Sequence, residues 1–268
     1  MKILFIGDVV GRPGRQLLKD WLPKFRAEGP IDFVVANAEN LAGGKGVTAA
    51  TIEEMRAAGV DVLTGGNHSF AQREALGLFA RDDRLLRPAN LPAGAPGRGL
   101  GLFPTAAGPV VAVLNLMGRA FMRPIDCPFR IGKALAEEAL RDTPILIVDF
   151  HAEATSEKMA MAAWLDGMAT AVVGTHTHVP TADARVTRRG TAAITDVGMT
   201  GPYDSIIGVE TPIVLDQLIT GLPVRHEVAK GDARLCALSI ELDATSGRAR
   251  SAEAVRRPDF PTAIVPVP

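Results

Sequence analysis

Imidazole, carboxylate and amide side chains stand at the ends of several short apolar runs in this sequence, and as a set they could ligate metal ions. The chain has five histidines, and two of them, His176 and His178, sit one residue apart after the run Ala171-Val172-Val173. His68 and His151 follow other strand-like runs in the same way. Asp8 ends the first run, Asn37-Ala38-Glu39-Asn40 ends the second, and Gly65-Gly66-Asn67-His68 ends the third. In an open parallel sheet the carboxyl ends of strands share one edge, where ligands bind, so these positions are expected to converge in space. Side chains at i and i+2 of an extended segment face the same way, which makes the pair His176 and His178 harder to explain as incidental. Taken singly, each residue has an ordinary role. Asp8 could cap a helix, Glu39 and Asn40 could be solvated turn residues, Asn67 could adopt a left-handed turn beside an exposed His68, and His151 could be a core histidine. The coincidence at five strand ends favours metal ligation.

The donors are carboxylate, amide and imidazole with no thiolate, a mixture that suits iron, manganese or zinc in a catalytic site. There are more of them than one tetrahedral ion can use. Two ions, bridged by a carboxylate and a water-derived hydroxide, would use them all. Such a pair could clamp a phosphoryl group while the hydroxide attacks phosphorus in line with the leaving oxygen. A spare imidazole could protonate that oxygen.

The elements that must position these groups alternate regularly. Lys2 to Gly7 reads as a strand. A helix follows through Leu17, Leu18, Trp21, Leu22 and Phe25, with Pro23 expected to kink or shorten it. Ile31 to Ala36 is a second strand; Thr48 caps a helix that Gly59 stops; Val60 to Leu63 is a third strand. Ser69 with Gln72 forms a capping-box signature opening a helix through Leu76 and Phe79. Residues 88 to 109 read as an irregular loop. Strands at Val110 to Leu116, Ile145 to Phe150 and Ala171 to Gly174 alternate with helices at Ile131 to Leu140 and Ser156 to Met168. The rhythm predicts a mostly parallel sheet with right-handed crossovers. After Pro180 short strands at Arg185 to Thr187, Ala192 to Ile194, Leu222 to Val228 and Leu235 to Leu242 predict an antiparallel sheet, and Pro258 to Pro268 an extended surface arm.

Composition narrows the functional classes. Net charge is −1 with no block of like charge, which argues against a dedicated nucleic-acid or membrane surface and leaves nucleotides open as substrates. Cys127 and Cys236 lie far apart without metal-ligand spacing, so a reduced, cytoplasmic protein is expected. Met1 to Ile6 reads as a core strand and not a signal peptide, and no apolar run reaches membrane-spanning length. The 268 residues are read as one domain, 1–268. Subunit number is left open, and a homo-oligomer is compatible with the sequence.

Some features mimic other functions. Gly7, Gly11 and Gly14 lack dinucleotide-binding spacing, and Asp8 would repel a pyrophosphate. Gly43-Gly44-Lys45-Gly46-Val47-Thr48 lacks the phosphate-loop frame and reads as a flexible, substrate-facing loop. Thr200 and Gly201 are candidate substrate-binding residues, although a structural turn there is equally reasonable. Asp126 reads as a turn residue and His226 as a surface histidine on a strand.

Gly7-Asp8, Gly66-Asn67-His68, Phe150-His151 and His176-Thr177-His178 together resemble the motifs of the calcineurin-like metallophosphoesterases. Two departures stand out. Val10 occupies the place of a usual histidine, and Asn37-Ala38-Glu39-Asn40 replaces a Gly-Asp-x-x-Asp segment. Those departures resemble the YmdB-type branch, as do Gly7 to Gly14 and Asp196-Val197-Gly198-Met199-Thr200-Gly201-Pro202. Phe70 stands where that branch usually has tryptophan. The resemblance covers nearly the whole chain and implies an α/β fold, a four-layer α-β-β-α sandwich.

It further implies that Glu39 bridges two ions, with Asp8, Asn40 and His178 completing one and Asn67, His151 and His176 the other. His68 would be the general acid and a contact to the phosphate. The implied cofactors are two divalent or trivalent metal ions, iron foremost, with manganese or zinc as alternatives. The implied activity is phosphodiester hydrolysis, including 2′,3′-cyclic nucleotides. A phosphomonoesterase or nuclease of the same fold is the nearest alternative, and a metal- or nucleotide-binding regulatory protein with little turnover is another.

Overall fold

The computed structural model describes residues 1–106 and 108–258. The chain begins β1 (Lys2–Ile6), α1 (Gly11–Glu28), β2 (Phe33–Asn37), α2 (Ala49–Ala57), β3 (Val62–Thr64), α3 (Ala75–Arg81) and β4 (Leu85–Leu86). It continues through β5 (Leu100–Pro104), β6 (Val110–Met117), α4 (Pro128–Ala139), β7 (Leu146–His151), α5 (Thr155–Trp164), β8 (Ala171–Thr175), β9 (Arg185–Val186) and β10 (Ala192–Ile194). The last described elements are β11 (Gly201–Pro202), α6 (Thr211–Thr220), β12 (Ala233–Leu242) and β13 (Ala249–Arg257).

Two sheets form. One runs β11-β12-β1-β2-β3-β4 with β13 paired to β12, and the other runs β5-β6-β7-β8-β10-β9. Both are buried on two faces, so their central strands are apolar throughout and alternate residues serve different layers. Ile3 and Phe5 of β1 join Val113, Ile147 and Val173 in the core between the sheets. Leu4 and Ile6 turn outward onto Leu18, Leu22 and Phe25 of α1. Leu114, Leu116 and Val148 face Ala136 of α4 and Met161 of α5 on the far side. The result is the expected four-layer α-β-β-α sandwich.

β1, β2 and β3 are mutually parallel, and so are β6, β7 and β8. The carboxyl ends of each set therefore share an edge. The two edges meet: Asn37 Nδ2 at the end of β2 donates to Asp149 Oδ2 of β7 at 2.9 Å.

Several expectations from sequence need correction. The chain after Pro180 builds no separate antiparallel sheet. β10 joins β8 in parallel, while β12 enters the first sheet beside β1 and pairs with β13, a strand not expected from the sequence. Residues 88–109 are not all loop, because β5 pairs with β6 and closes that sheet edge. The two-residue β4 is likewise unexpected.

Leu222 to Val228 forms no strand, and the ten-residue α6 precedes it; α6 buries none of its side chains fully, which masks its apolar periodicity. Pro23 does not stop α1, which continues to Glu28 with Leu22 and Phe25 buried on either side of it. The Ser69/Gln72 signature opens no helix, since α3 starts at Ala75. Ser69 Oγ instead accepts from the Gly66 N–H at 2.9 Å and donates to the Gly66 carbonyl at 2.8 Å. The proposed arm from Pro258 lies outside the described residues beyond Pro258 itself. No helix among the described residues is long and apolar enough to cross a membrane.

Candidate metal centre

β1 delivers Asp8, which is fully buried. It does not cap α1, whose N-cap is Val10 without a side-chain bond. Asp8 Oδ2 accepts from the His176 N–H at 3.2 Å, whereas Oδ1 has no hydrogen-bond partner. That bare oxygen lies 3.7 Å from His151 Nδ1 and 3.9 Å from His178 Nε2. Burial raises the Asp8 pKa against the pull of His178 and His151. An unpartnered buried carboxylate oxygen is costly, and a cation is the group that would satisfy it.

β2 delivers Asn37 to Asn40. Glu39 Oε2 accepts from the His68 N–H at 2.9 Å and lies 3.2 Å from His151 Nε2; Oε1 lies 3.2 Å from His68 Nδ1. Burial opposes the charge, but His151 and His68 hold the Glu39 carboxyl well below the usual range. Asn40 Oδ1 meets His68 Nδ1 at 3.0 Å and its Nδ2 meets His178 Nε2 at 3.2 Å. β3 leads into Gly66 and Asn67, and Asn67 Oδ1 is 2.9 Å from His151 Nε2. Asn67 is absent from the left-handed region, so the turn explanation for it fails.

A side chain at Gly66 would obstruct this place, because an added Cβ would collide with Glu39 Oε2 and His151 Nε2. Ser69 fastens that glycine from both its N–H and its carbonyl. A serine that reads as a helix cap is therefore part of the site's support.

β7 and β8 bring the imidazoles. His151 is buried, and a chain of donors fixes its tautomer. Asp149, two residues earlier on β7, can only accept when ionised, so the Thr175 hydroxyl donates to its Oδ1 at 2.7 Å. Thr175 Oγ1 then accepts from His151 Nδ1 at 3.0 Å, which turns Nε2 toward Asn67 and Glu39, where it could ligate a metal. Burial disfavours the charged ring, yet Glu39, Asp8 and Asp149 overcome this and raise the His151 pKa to about 9. The site therefore has an excess of negative charge that calls for a cation. Burial and the neighbouring His151 push His176 down to about 3, keeping it in the neutral form that ligates. His176 Nε2 also lies 3.2 Å from Glu153.

His176 and His178 both have positive φ, 98° and 66°. Side-chain-bearing residues rarely adopt this region, and it costs on the order of 1–3 kcal/mol unless neighbours impose it. Here Asp196 imposes it through the residue between them. Its Oδ2 accepts from the Thr177 N–H at 3.1 Å, the Thr177 hydroxyl at 2.6 Å and Lys158 Nζ at 2.7 Å. Lys158 and Asp196 are both buried, so each depends on the other for its charge.

All seven candidate ligands meet at this edge: Asp8, Glu39, Asn40, Asn67, His151, His176 and His178. Ligand atoms of Glu39, His151 and His176 lie within 4.8 Å of one another. The bare Asp8 oxygen, the space that only a glycine at 66 leaves open and the all-N/O donor set fit metal ions. His68 sits at the rim, one-third exposed. Thr200 and Gly201, the candidate substrate contacts, lie inside the protein. The Thr200 hydroxyl bonds to the Cys236 carbonyl at 3.1 Å and its N–H to the Asp8 carbonyl at 2.8 Å. They are scaffold behind Asp8.

The supporting residues Asp149, Thr175, Lys158, Asp196 and Glu153 are not among the candidates that sequence offers. Asp149 carries a signal nonetheless, since a carboxylate inside Leu146-Ile147-Val148-Asp149-Phe150-His151 shares a face with His151. Thr175→Val keeps the volume and removes the hydroxyl that orients His151. Its expected effect is a loss of about 10–100-fold in metal affinity with the fold retained, measured by chelator competition.

The chain matches the family model described as YmdB-like protein over residues 4–255. The 2′,3′-cyclic-nucleotide 2′-phosphodiesterase of Bacillus subtilis (strain 168) is 46% identical over 255 residues, which cover 95% of this chain and 96% of that protein. A crystal structure of a hypothetical protein from Thermus thermophilus superposes with a TM-score of 0.89 at 42% identity, covering 96% of this chain and 98% of that one. A crystal structure of a phosphatase from Mycoplasma pneumoniae gives 0.88 at 36% identity, covering 96% and 92%.

Proposed function

The chain belongs to the YmdB-like family, and from that membership we propose that it is a single-domain, metal-dependent phosphoric diester hydrolase. Its substrates in this reading are 2′,3′-cyclic nucleotides or related small phosphodiesters. The observation that carries it is His68, an imidazole held against the donor cluster without being needed as a ligand. Asp8, Asn40 and His178 would share one ion with Glu39, and Asn67, His151 and His176 would share the other. Iron is the foremost expectation from the family resemblance, with manganese or zinc, which suit these donors as well, as alternatives. When bound, the pair neutralises phosphoryl charge and lowers the pKa of a coordinated water towards neutrality.

The protein's own groups do the rest. His68 Nδ1 lies within bonding distance of Asn40 Oδ1 and Glu39 Oε1, both acceptors, so it carries a proton and orients the ring. Nε2 is then the atom that gives a proton to the departing alkoxide, which is a poor leaving group without one. Glu39 orients the acid through both the His68 N–H and the ring. Free Cys127 and Cys236 support placing the enzyme in the reducing cytoplasm.

A substrate panel tests this reading on protein loaded with iron or manganese. Adenosine 2′,3′-cyclic phosphate and bis-p-nitrophenyl phosphate are expected to be turned over with kcat/KM at least about tenfold above p-nitrophenyl phosphate. Preference for the monoester would replace the diesterase reading with a phosphatase, and absence of turnover on every substrate, RNA included, would leave a binding module.

A further inference from the structure

A cleft of about 530 Å³ is lined at the candidate metal centre by His68, Asn40 and His178. Its walls are aliphatic, formed by Val10, Ile206, Val209, Val214, Val224 and Val228. Its polar lining includes Lys45, Gln72, Arg225, His226 and Glu227. The volume falls within the roughly 300–1,000 Å³ typical of small-molecule clefts, which combine apolar walls with a few placed polar groups. A site that only trapped inorganic phosphate would have no use for such a wall. We infer that this cleft is the nucleoside subsite: the aliphatic wall takes the base, and Lys45 takes a polar edge of the base or ribose. The assignment rests on the diesterase reading and extends it to the part of the substrate that does not react.

The two sides of the cleft are built structures. Residues 206–210 lie against 227–229, with an antiparallel Val209–Val228 bridge and bonds from Glu210 N–H to the Glu227 carbonyl and Ala229 N–H to the Gly208 carbonyl, both 3.0 Å. Opposite, the Gly43-Gly44-Lys45-Gly46 turn has φ of 63°, 93° and 77° at its three glycines, a run that residues with a Cβ rarely sustain. The turn is tied to the metal site, because the Glu39 carbonyl accepts from the Gly46 N–H. Among the described residues the Lys45 ammonium has no ion-pair partner, so it is available to a ligand.

The far wall is tied to the same site. His178 Nδ1 donates to the Ile207 carbonyl at 2.8 Å, and Ile207 is held at φ 47°, rare for a β-branched residue. Metal ligand and cleft wall therefore keep one register. A phosphate on the centre has its substituent placed against the valines. No aromatic ring of Phe, Tyr or Trp among the described residues lines the cleft, so bases rest on aliphatic surface, and purines and pyrimidines are both accepted.

The test compares adenosine 2′,3′-cyclic phosphate with glycerol 1,2-cyclic phosphate, which has the same five-membered phosphodiester ring and no base. In the wild-type protein kcat/KM for the nucleotide is expected to exceed that for the base-free ring by about a hundredfold. Val224→Trp, which fills the cleft, and Lys45→Ala, at an exposed position, should each cut that ratio about tenfold, through KM. A wild-type ratio near one, or a ratio that neither variant moves, overturns the assignment. Failure of the diesterase reading looks different, since the loaded wild-type protein then hydrolyses neither ring. In that case calorimetric binding of adenosine 3′-monophosphate still decides: weakening by about tenfold in Lys45→Ala supports the subsite, and unchanged binding overturns it.

Discussion

His68→Ala is expected to keep its metal ions and lose about 10²–10⁴-fold in kcat on adenosine 2′,3′-cyclic phosphate. In the proposed mechanism the ring is the acid and not a ligand; its Nδ1 is fixed between Glu39 and Asn40 and its body lines the cleft. Truncation leaves the His68 N–H bond to Glu39 in place, so that carboxylate keeps one of its anchors. The lost function is proton delivery, which places the effect in kcat and makes it depend on the leaving group. A p-nitrophenolate departs readily without a proton, so bis-p-nitrophenyl phosphate should suffer much less than the nucleotide. Steady-state kinetics on both substrates, with elemental analysis of the same preparation, checks this. Unchanged kcat would remove His68 from the mechanism, and loss of metal together with activity would make it a ligand.

Glu39→Gln has the second large expected effect: metal content falling to one equivalent or fewer, and kcat/KM falling by about 10³ or more, roughly 4 kcal/mol of barrier. Glu39 faces the candidate ligand His151 through one oxygen and the candidate acid His68 through the other. The amide has the same shape and retains an acceptor for the His68 N–H, so the fold should persist. What disappears is a negative charge at a site that already holds Asp8 and His151 in mutual dependence. Circular dichroism and metal analysis separate a discharged site from a collapsed one. Two full equivalents of metal in Glu39→Gln would show that this carboxylate is not shared.

The part of this centre that is legible in sequence is the part carried by strand ends. Asp8, Glu39, Asn67, His151 and His176 each follow a run of buried β-type residues, and a parallel sheet leaves those ends little choice but to share an edge. Layer assignment is not legible in the same way: Ile3, Leu4, Phe5 and Ile6 are all apolar, so nothing in the sequence says that Ile3 and Phe5 enter one layer and Leu4 and Ile6 the other. The rest is set by contacts distant in sequence. Ser69 looks like a helix cap until Gly66 is seen to take its hydroxyl. Lys158 looks like a solvated helix residue until it meets Asp196, 38 positions later. α6 has apolar residues without a buried face, and Leu218 and Ile219 remain exposed, so periodicity gives no sign of it. Thr200 and Gly201 lie close to the motifs in sequence, which suggests a substrate contact, whereas a strand pairing turns them inward behind Asp8.

Elemental analysis of protein purified without added metal tests the central claim most directly. Seven donors from five strand ends, around one unpartnered Asp8 oxygen, are expected to retain two equivalents of transition metal per chain, and hydrolysis of 2′,3′-cyclic nucleotide should rise and fall with that content. Full activity in a preparation holding one equivalent or none would contradict it.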